Sequence, residues 1–452
     1  MTFTENDIQR YIWSRRDDFS GLLQDANLPA EVDFKDDLSD LTVQALMQNR
    51  TISRLSDAYD KLSYMELIGM EIPLVQQDNS TIRADFLATF PGDTGIGIIE
   101  LKKSAQTERQ AFTELLAYSN HLTTIFPAMT REDAVFVLIA PFETRICRDA
   151  LIQSLLFDNR VIVGLIPVLV DPARLDSLEL RLWVPRDYEL AEFVSLAFRG
   201  ENFNVCKVVW EYSEGRWDAK KGEAPTPGLI DQLNAVSTLA AQHMEVAGIH
   251  GFAYISQVWS ELRDVLPFTN SLVLVGMNPF AVGATQFLAR TNLGGAHDVP
   301  PPQAYLPNLT ELIPGLAANA KELHEGNNYL SDLHSVWDSQ LFRIGKKVVD
   351  ASTQTTSGHS LETDHGFFDW ETYQRQFLED VSCNNFDMRP TGILRELYMT
   401  VTKIDYKLAG KVGVENHPIH RDMYFSAIAA LTSQSYFRDF ILRLLGDDEE
   451  DA

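Results

Sequence analysis

Two carboxylates and a lysine near residue 100 are the side chains in this sequence best placed to do hydrolytic chemistry. Asp85 lies in TIRADFLATF (81–90), and Glu100 and Lys102 lie in IGIIELKK (96–103). Strand periodicity puts Ile96, Ile98, Glu100 and Lys102 on one face of the second segment, and Asp85 with Arg83 and Leu87 on one face of the first. The turn PGDTG joins the two segments, so Asp85 and Glu100 are expected to converge at one end of a hairpin. Two carboxylates with a strand carbonyl between them form a hard oxygen set suited to Mg²⁺ or Mn²⁺. A lysine two residues after Glu100 would lie beside such an ion, orient an attacking water and offset charge on a pentavalent transition state. The bland alternative is a cross-strand ion pair on a solvated face. Against it stands the apolar strand that Glu100 and Lys102 terminate, where charges are costly without a role.

The flanking pattern supplies elements to hold these residues. Residues 5 to about 63 read as helical, with Leu46, Ile52, Leu55, Tyr59 and Leu62 at near-helical intervals. IGMEIPLV (68–75) joins the two segments above as a three-stranded antiparallel meander. A helix is predicted from Thr107 to Ile125, with Phe112, Leu115, Leu116 and Leu122 as its buried stripe. Strand AVFVLIAPF, helix RDALIQSLLF and strands VIVGLIPVLV and LELRLWVP follow. The order α-β-β-β-α-β-α-β-β is that of a mixed α/β layer structure.

Asp85 on one strand, Glu100-Leu101-Lys102 ending the next and a helix after it together resemble the PD-(D/E)xK superfamily, the restriction-endonuclease-like nucleases. The resemblance covers roughly residues 50–185. It implies Asp85, Glu100 and the Leu101 carbonyl as ligands of a magnesium or manganese ion, and Lys102 as the residue that positions or activates water. It also implies a contribution from the following helix, where Gln110, Glu114 and Tyr118 recur every fourth residue and share a face; Gln110 is the first choice. Many members place an acid on the preceding helix, for which Asp57 and Asp60 both qualify. Ala84 stands where the family often has proline. The implied activity is metal-dependent hydrolysis of nucleic acid, DNA favoured over RNA, in defence, restriction or repair.

At 452 residues the chain is too long for one ordinary core. The expected division is a mixed-sheet, restriction-endonuclease-like domain over 1–190 and a mixed, largely helical accessory domain over 191–452. The second would serve substrate selection, oligomerisation or partner binding. Within it, NVCKVVWEY and SLVLVGMNPF read as strands, LIDQLNAVSTLAAQHMEVAGI as a helix, and ASTQTTSGHSLETDHG (351–366) as a loop. The last eighty or so residues read as mostly helical.

Charge works against a nucleic-acid role. Thirty-eight Lys and Arg face 64 Asp and Glu, a net −26, so nucleic acid must meet a local basic surface or be delivered by a partner. This balance keeps two rival readings open: a non-catalytic interaction protein using the nuclease fold as scaffold, and a metal-dependent hydrolase of small phosphoesters. The longest apolar run, VIVGLIPVLV (161–170), is too short to span a bilayer. No basic leader opens the chain, and Cys147, Cys206 and Cys383 form no C-x-x-C pair, which fits a cytoplasmic protein.

Other motifs carry less. GDTGIG (92–97) lacks the G-K-[ST] of a phosphate loop and is expected to be a hairpin turn. His417, His420 and Asp422 lack zinc-site spacing. The aromatic run GFFDWETYQRQF (366–377), like Trp210 and Trp217 beside Lys220 and Lys221, could stack on bases but more commonly packs in a core.

Overall fold

The computed structural model describes residues 3–33, 42–75, 81–91, 95–130, 133–158, 161–210, 226–262, 265, 270–291, 307–313, 329–352, 362–375, 383–412, 437, 440–441 and 444–445. The chain divides into two compact units, Met1–Asp33 with Ala45–Ala191, and Phe34–Gln44 with Glu192–Ala452.

In the first unit a six-stranded sheet runs in chain order: β1 (Glu66–Val75), β2 (Thr81–Thr89), β3 (Ile96–Leu101), β4 (Ala134–Ile139), β5 (Ile162–Leu169) and β6 (Leu178–Leu182). The β1–β2 and β2–β3 pairs are antiparallel, β3–β4 and β4–β5 parallel, and β5–β6 antiparallel. Each parallel step is a crossover through a helix, α3 (Ala105–Ile125) and then α4 (Arg145–Leu156).

One face of the sheet packs Phe86, Ile99, Leu101, Val137, Ile139 and Leu165 against α1 (Glu5–Ser14) and the end of α2 (Val43–Leu62). Thr4 and Asp7 form a reciprocal capping box that starts α1. Ile8 and Ile12 then turn into the core. The helical expectation for residues 5–63 is too broad, because residues 23–33 hold no helix and Leu23 instead bridges Leu180.

The stripe of α3 also differs from expectation. Among its described residues Ala111, Leu115, Tyr118 and Leu122 are the buried apolar ones, while Leu116 is 57 % exposed. Counting only large aliphatic side chains overlooks an alanine and a tyrosine, and so turns the face by part of a turn. Buried Glu108 locks that rotation: its carboxylate accepts the Glu143 and Thr144 amides at 3.1 and 3.2 Å and the Thr144 hydroxyl at 2.7 Å.

The unit boundary falls within α5 (Asp187–Ala197). In the second unit a five-stranded antiparallel sheet has the order β10-β7-β9-β8-β11. Its strands are β7 (Phe203–Trp210), β8 (Gly251–Val258), β9 (Asn270–Met277), β10 (Thr363–Phe368) and β11 (Cys383–Thr391). Helices α6 (Pro227–Val246) and α8 (Tyr329–Ser352) cover one face, and α7 (Pro279–Thr291) and α9 (Ile393–Val412) complete the larger elements. The second unit is thus mixed, with more of its described residues in helices than in strands, and its helices are organised on a five-stranded antiparallel sheet. β8 is buried at every residue and shows no alternation, while β10 and β11 (TDHGFF and CNNFDMRPT) lack a strand-like apolar pattern. Residues 363–366, expected in a loop, belong to β10.

Trp210, Trp370 and Tyr373 are core residues, and the three cysteines are buried free thiols. The turn at 92–94, Trp217, Lys220, Lys221, and the His417, His420 and Asp422 group lie outside the described residues. No described helix is long and apolar enough to cross a membrane.

Candidate active site

The ladder between β2 and β3 ends at Phe86↔Ile99. The next positions in register are Asp85 and Glu100, whose side chains share the face covered by α3. Beyond the ladder, the Leu101 amide donates to Asp85 Oδ2 at 2.7 Å. The other carboxylate oxygen, Oδ1, accepts from Gln9 Nε2 on α1 at 3.1 Å. Both oxygens of Asp85 are thereby fixed by groups from different elements.

Glu100 is 2 % exposed and Lys102 9 %. Lys102 Nζ contacts Glu100 Oε1 and lies 2.8 Å from Glu114 Oε2 of α3. Its backbone N–H is held by the Ile139 carbonyl at 2.8 Å, so the end of β3 is anchored to β4. The second Glu100 oxygen, Oε2, is buried and receives no N–H donor among the described residues, and the Glu114 and Asp85 carboxyls lie close enough to share a proton with Glu100.

The electrostatics follow from this crowding. Burial raises Glu100 to about 9, with the charge of Asp85 adding to the effect. Burial likewise raises Asp85 to about 6, against the pull of the Leu101 amide. Two carboxyls this close ionise as a pair and hold a proton longer than either would alone. Burial opposes the charge on Lys102, yet Glu100 and Glu114 beside it leave its pKa raised. Glu114 is held below the usual carboxylate range despite partial burial, by its hydrogen bonds to Glu100 and Lys102. Asp85 and Glu100 thus share a retained proton as a pair, beside a Glu114 that ionises readily and a Lys102 that holds its charge.

The structure thus brings together Asp85, Glu100, Leu101 and Lys102. It does not bring in Gln110, which is exposed. Each step of four residues overshoots a helical turn by about 40°, so Gln110, Glu114 and Tyr118 pass from exposed to half-buried to buried along α3. Glu114 touches Lys102, and the Tyr118 hydroxyl donates to the Arg83 carbonyl on β2. Asp57 and Asp60 are both exposed on α2. On α1, Glu5 does reach this region: its Oε2 accepts the Lys103 amide at 2.9 Å and its charge acts on Asp85.

Sequence reasoning missed Glu5 and Gln9. Their i, i+4 spacing beside buried Ile8 was visible, but nothing in it pointed to Asp85, 76 residues away.

An oxygen-only set of Asp85, Glu100 and the Leu101 carbonyl suits a small hard cation, and Glu100 Oε2 receives no N–H donor among the described residues that a cation would have to displace. Among the described residues no three His, Cys, Asp or Glu side chains form a complete cage. Magnesium commonly keeps several waters and takes only one or two carboxylates, so the residues present fit it. No protein-family model, curated protein or solved structure matches this chain.

Proposed function

We propose that the chain is a metal-dependent nuclease of the PD-(D/E)xK kind, hydrolysing phosphodiester bonds with Mg²⁺ or Mn²⁺. One observation carries the reading. Asp85 and Glu100 meet at the end of the β2–β3 pair, buried side by side with the Lys102 ammonium alongside. Asp85, Glu100 and the Leu101 carbonyl would hold the ion. When bound, that ion supplies positive charge against the scissile phosphate and acidifies a water.

The protein's own groups do the rest. Gln9 and the Leu101 amide hold Asp85 in one orientation. Lys102, beside both Glu100 and Glu114, acts by charge and by positioning or activating the attacking water. Glu114 aims that ammonium from the α3 side. The second unit is assigned to substrate selection or to joining copies or partners. DNA is favoured over RNA by resemblance alone.

The net charge of −26 favours a second reading, a non-catalytic scaffold. One assay separates them: the purified chain with Mg²⁺ or Mn²⁺ is offered plasmid, single-stranded DNA, RNA and nucleotides, beside Glu100→Ala and Lys102→Ala. Cleavage by the wild type alone is expected. No cleavage with any substrate and either metal removes the nuclease reading, cleavage of nucleotides only moves it to small phosphoesters, and equal cleavage by all three proteins moves the site elsewhere.

A further inference from the structure

An acidic nuclease needs a local surface that accepts phosphates, and the second unit carries one at the C-terminal half of α8. Phe342, Arg343, Lys346, Lys347, Asp350 and Ala351 line a shallow depression of about 470 Å³. Three of these residues are cationic and one is acidic, the reverse of the balance over the whole chain. Lys346 is tethered to Asp350 Oδ1 at 3.1 Å and to the Thr363 hydroxyl at 3.4 Å. Arg343 and Lys347 are exposed.

Beside this depression runs β10, the end strand of its sheet. Thr363, His365 and Phe367 pair with Trp210, Val208 and Cys206, so they sit on the α8 side of the sheet. His365 stacks on Phe342 with ring centroids 3.9 Å apart and planes at 28°. Phe367 meets His365 edge-on at 5.6 Å and is 45 % exposed. The result is a run of three rings that starts on the core-packed Phe342, passes through exposed His365 and ends on an open phenyl, bordered by cations.

Ordinary structural roles account for part of this, since Lys346 pairs with Asp350 one turn on, Arg343 Nε donates to the Ser339 carbonyl and Phe342 packs on the core. They do not account for Lys347 or the open Phe367 ring. A cation stabilises a helix dipole mainly within the last turn, whereas Arg343 and Lys346 lie earlier in a helix that ends at Ser352. Phe367 adds little to the core at its present exposure. Rings spaced along a cationic rim are instead what an unpaired strand requires, with bases stacking on the rings and phosphates following the cations. A duplex, whose bases are already stacked on each other, gains only the charge contacts.

We infer that the Phe342–His365–Phe367 ring run, with Arg343, Lys346 and Lys347, binds single-stranded nucleic acid. This deepens the proposed nuclease function and rests on it for its purpose, though binding can be measured without cleavage.

The test is fluorescence anisotropy on the full chain in EDTA, with labelled oligo(dT) and oligo(rU) of about 20 nucleotides, long enough to exceed one binding site, and a duplex of equal length. Phe367→Ala should weaken both single strands about tenfold and change duplex binding less than about twofold, since duplex contacts are ionic. Lys346→Ala/Lys347→Ala should weaken all three probes. It should also flatten the salt dependence for oligo(dT) by about 1.4 units of slope, about 0.7 for each phosphate no longer neutralised. Unchanged circular dichroism in both variants secures the comparison, as the substituted side chains lie at the surface.

The inference fails if the wild type binds no oligonucleotide at about 50 mM salt, where ionic contacts are strong, or if the variants bind as the wild type does. It also fails if an acidic peptide competes as well as the oligonucleotides do. Wild-type cleavage in Mg²⁺ with unaltered binding by both variants removes this surface and leaves the nuclease reading intact. Binding that depends on Phe367 in a chain that never cleaves does the opposite.

Discussion

Asp85 Oδ2 receives the backbone N–H of Leu101 at 2.7 Å, so a side chain takes up the first β3 amide beyond the β2–β3 ladder. That bond links the carboxylate directly to the strand bearing Glu100 and Lys102. The backbone, more than side-chain packing, therefore sets the distance between the two acids. Gln9 then leaves Asp85 little freedom to rotate.

Replacing Asp85 by Asn preserves size and one acceptor for the Leu101 amide but removes the charge. Metal-dependent cleavage should fall at least about 100-fold, in the range seen when a group that stabilises transition-state charge is lost. The melting temperature in EDTA should stay the same or rise, because a crowded buried charge is gone. Parallel cleavage and thermal-shift measurements check this, and a variant that melts early and cleaves normally would show Asp85 to be purely structural.

Gln9→Ala tests positioning separately from ligation. With Oδ1 released, the carboxylate gains rotational freedom, and removing such an outer hydrogen bond typically weakens metal affinity about 10- to 100-fold. The half-saturating Mg²⁺ concentration should rise accordingly, while the rate at saturating Mg²⁺ stays within about threefold of wild type, since no ligand is removed. A fall in the saturated rate with no change in Mg²⁺ dependence would assign Gln9 another role.

What could be seen in the sequence was whatever rests on local period and short turns. The three strands around Asp85 and Glu100, their shared face and the helix after them all follow from alternation and spacing within about forty residues, the range where turn geometry fixes register. Glu5, Gln9 and the rotation of α3 depend on tertiary packing, as when buried Glu108 binds the turn before α4. That is why the sequence favours Gln110 over Glu114. β8 was hidden for another reason: a strand buried on both faces loses its alternation.

Exchange of the α3 residues decides between Gln110 and Glu114. Gln110 is exposed and Glu114 lies 2.8 Å from Lys102. Gln110→Ala should leave cleavage within about twofold, as surface changes away from a site usually do little. Glu114→Gln should lower it at least about tenfold by freeing the ammonium. The reverse order of effects would mean that substrate binding rotates α3.

Glu100 makes stability depend on pH in a particular direction. Its carboxyl titrates near the usual 4.5 in the unfolded chain and near 9 when folded. Between those values the unfolded state binds fewer protons, so unfolding becomes easier as pH rises. The favourable contribution is complete below pH 4.5 and lost through pH 9; Asp85 acts in the same sense from 3.8 to about 6. Glu100→Gln removes most of this dependence. In EDTA its stability relative to wild type should rise steadily from about pH 5 to about 9, because the amide takes up no proton on burial. Urea unfolding from pH 5 to about 9 reads this directly, and parallel wild-type and variant curves would contradict the burial argument.

Lys102 and Glu114 form the last test, because the ammonium serves two carboxyls at once. Lys102→Met keeps the apolar stem and deletes the charge, leaving Glu100 and Glu114 facing each other without a cation. Breaking one side of a buried ionic cluster costs about 3 kcal/mol, and the exposure of Glu114 puts this case at the lower end. Adding Glu114→Gln removes the stranded charge, so the double variant should recover much of that stability while remaining inactive. The coupling, read from urea unfolding of both single variants and the double at pH 7, should exceed about 1 kcal/mol. Strict additivity would mean that water already screens the pair, and Lys102 would then hold its place through β3 alone.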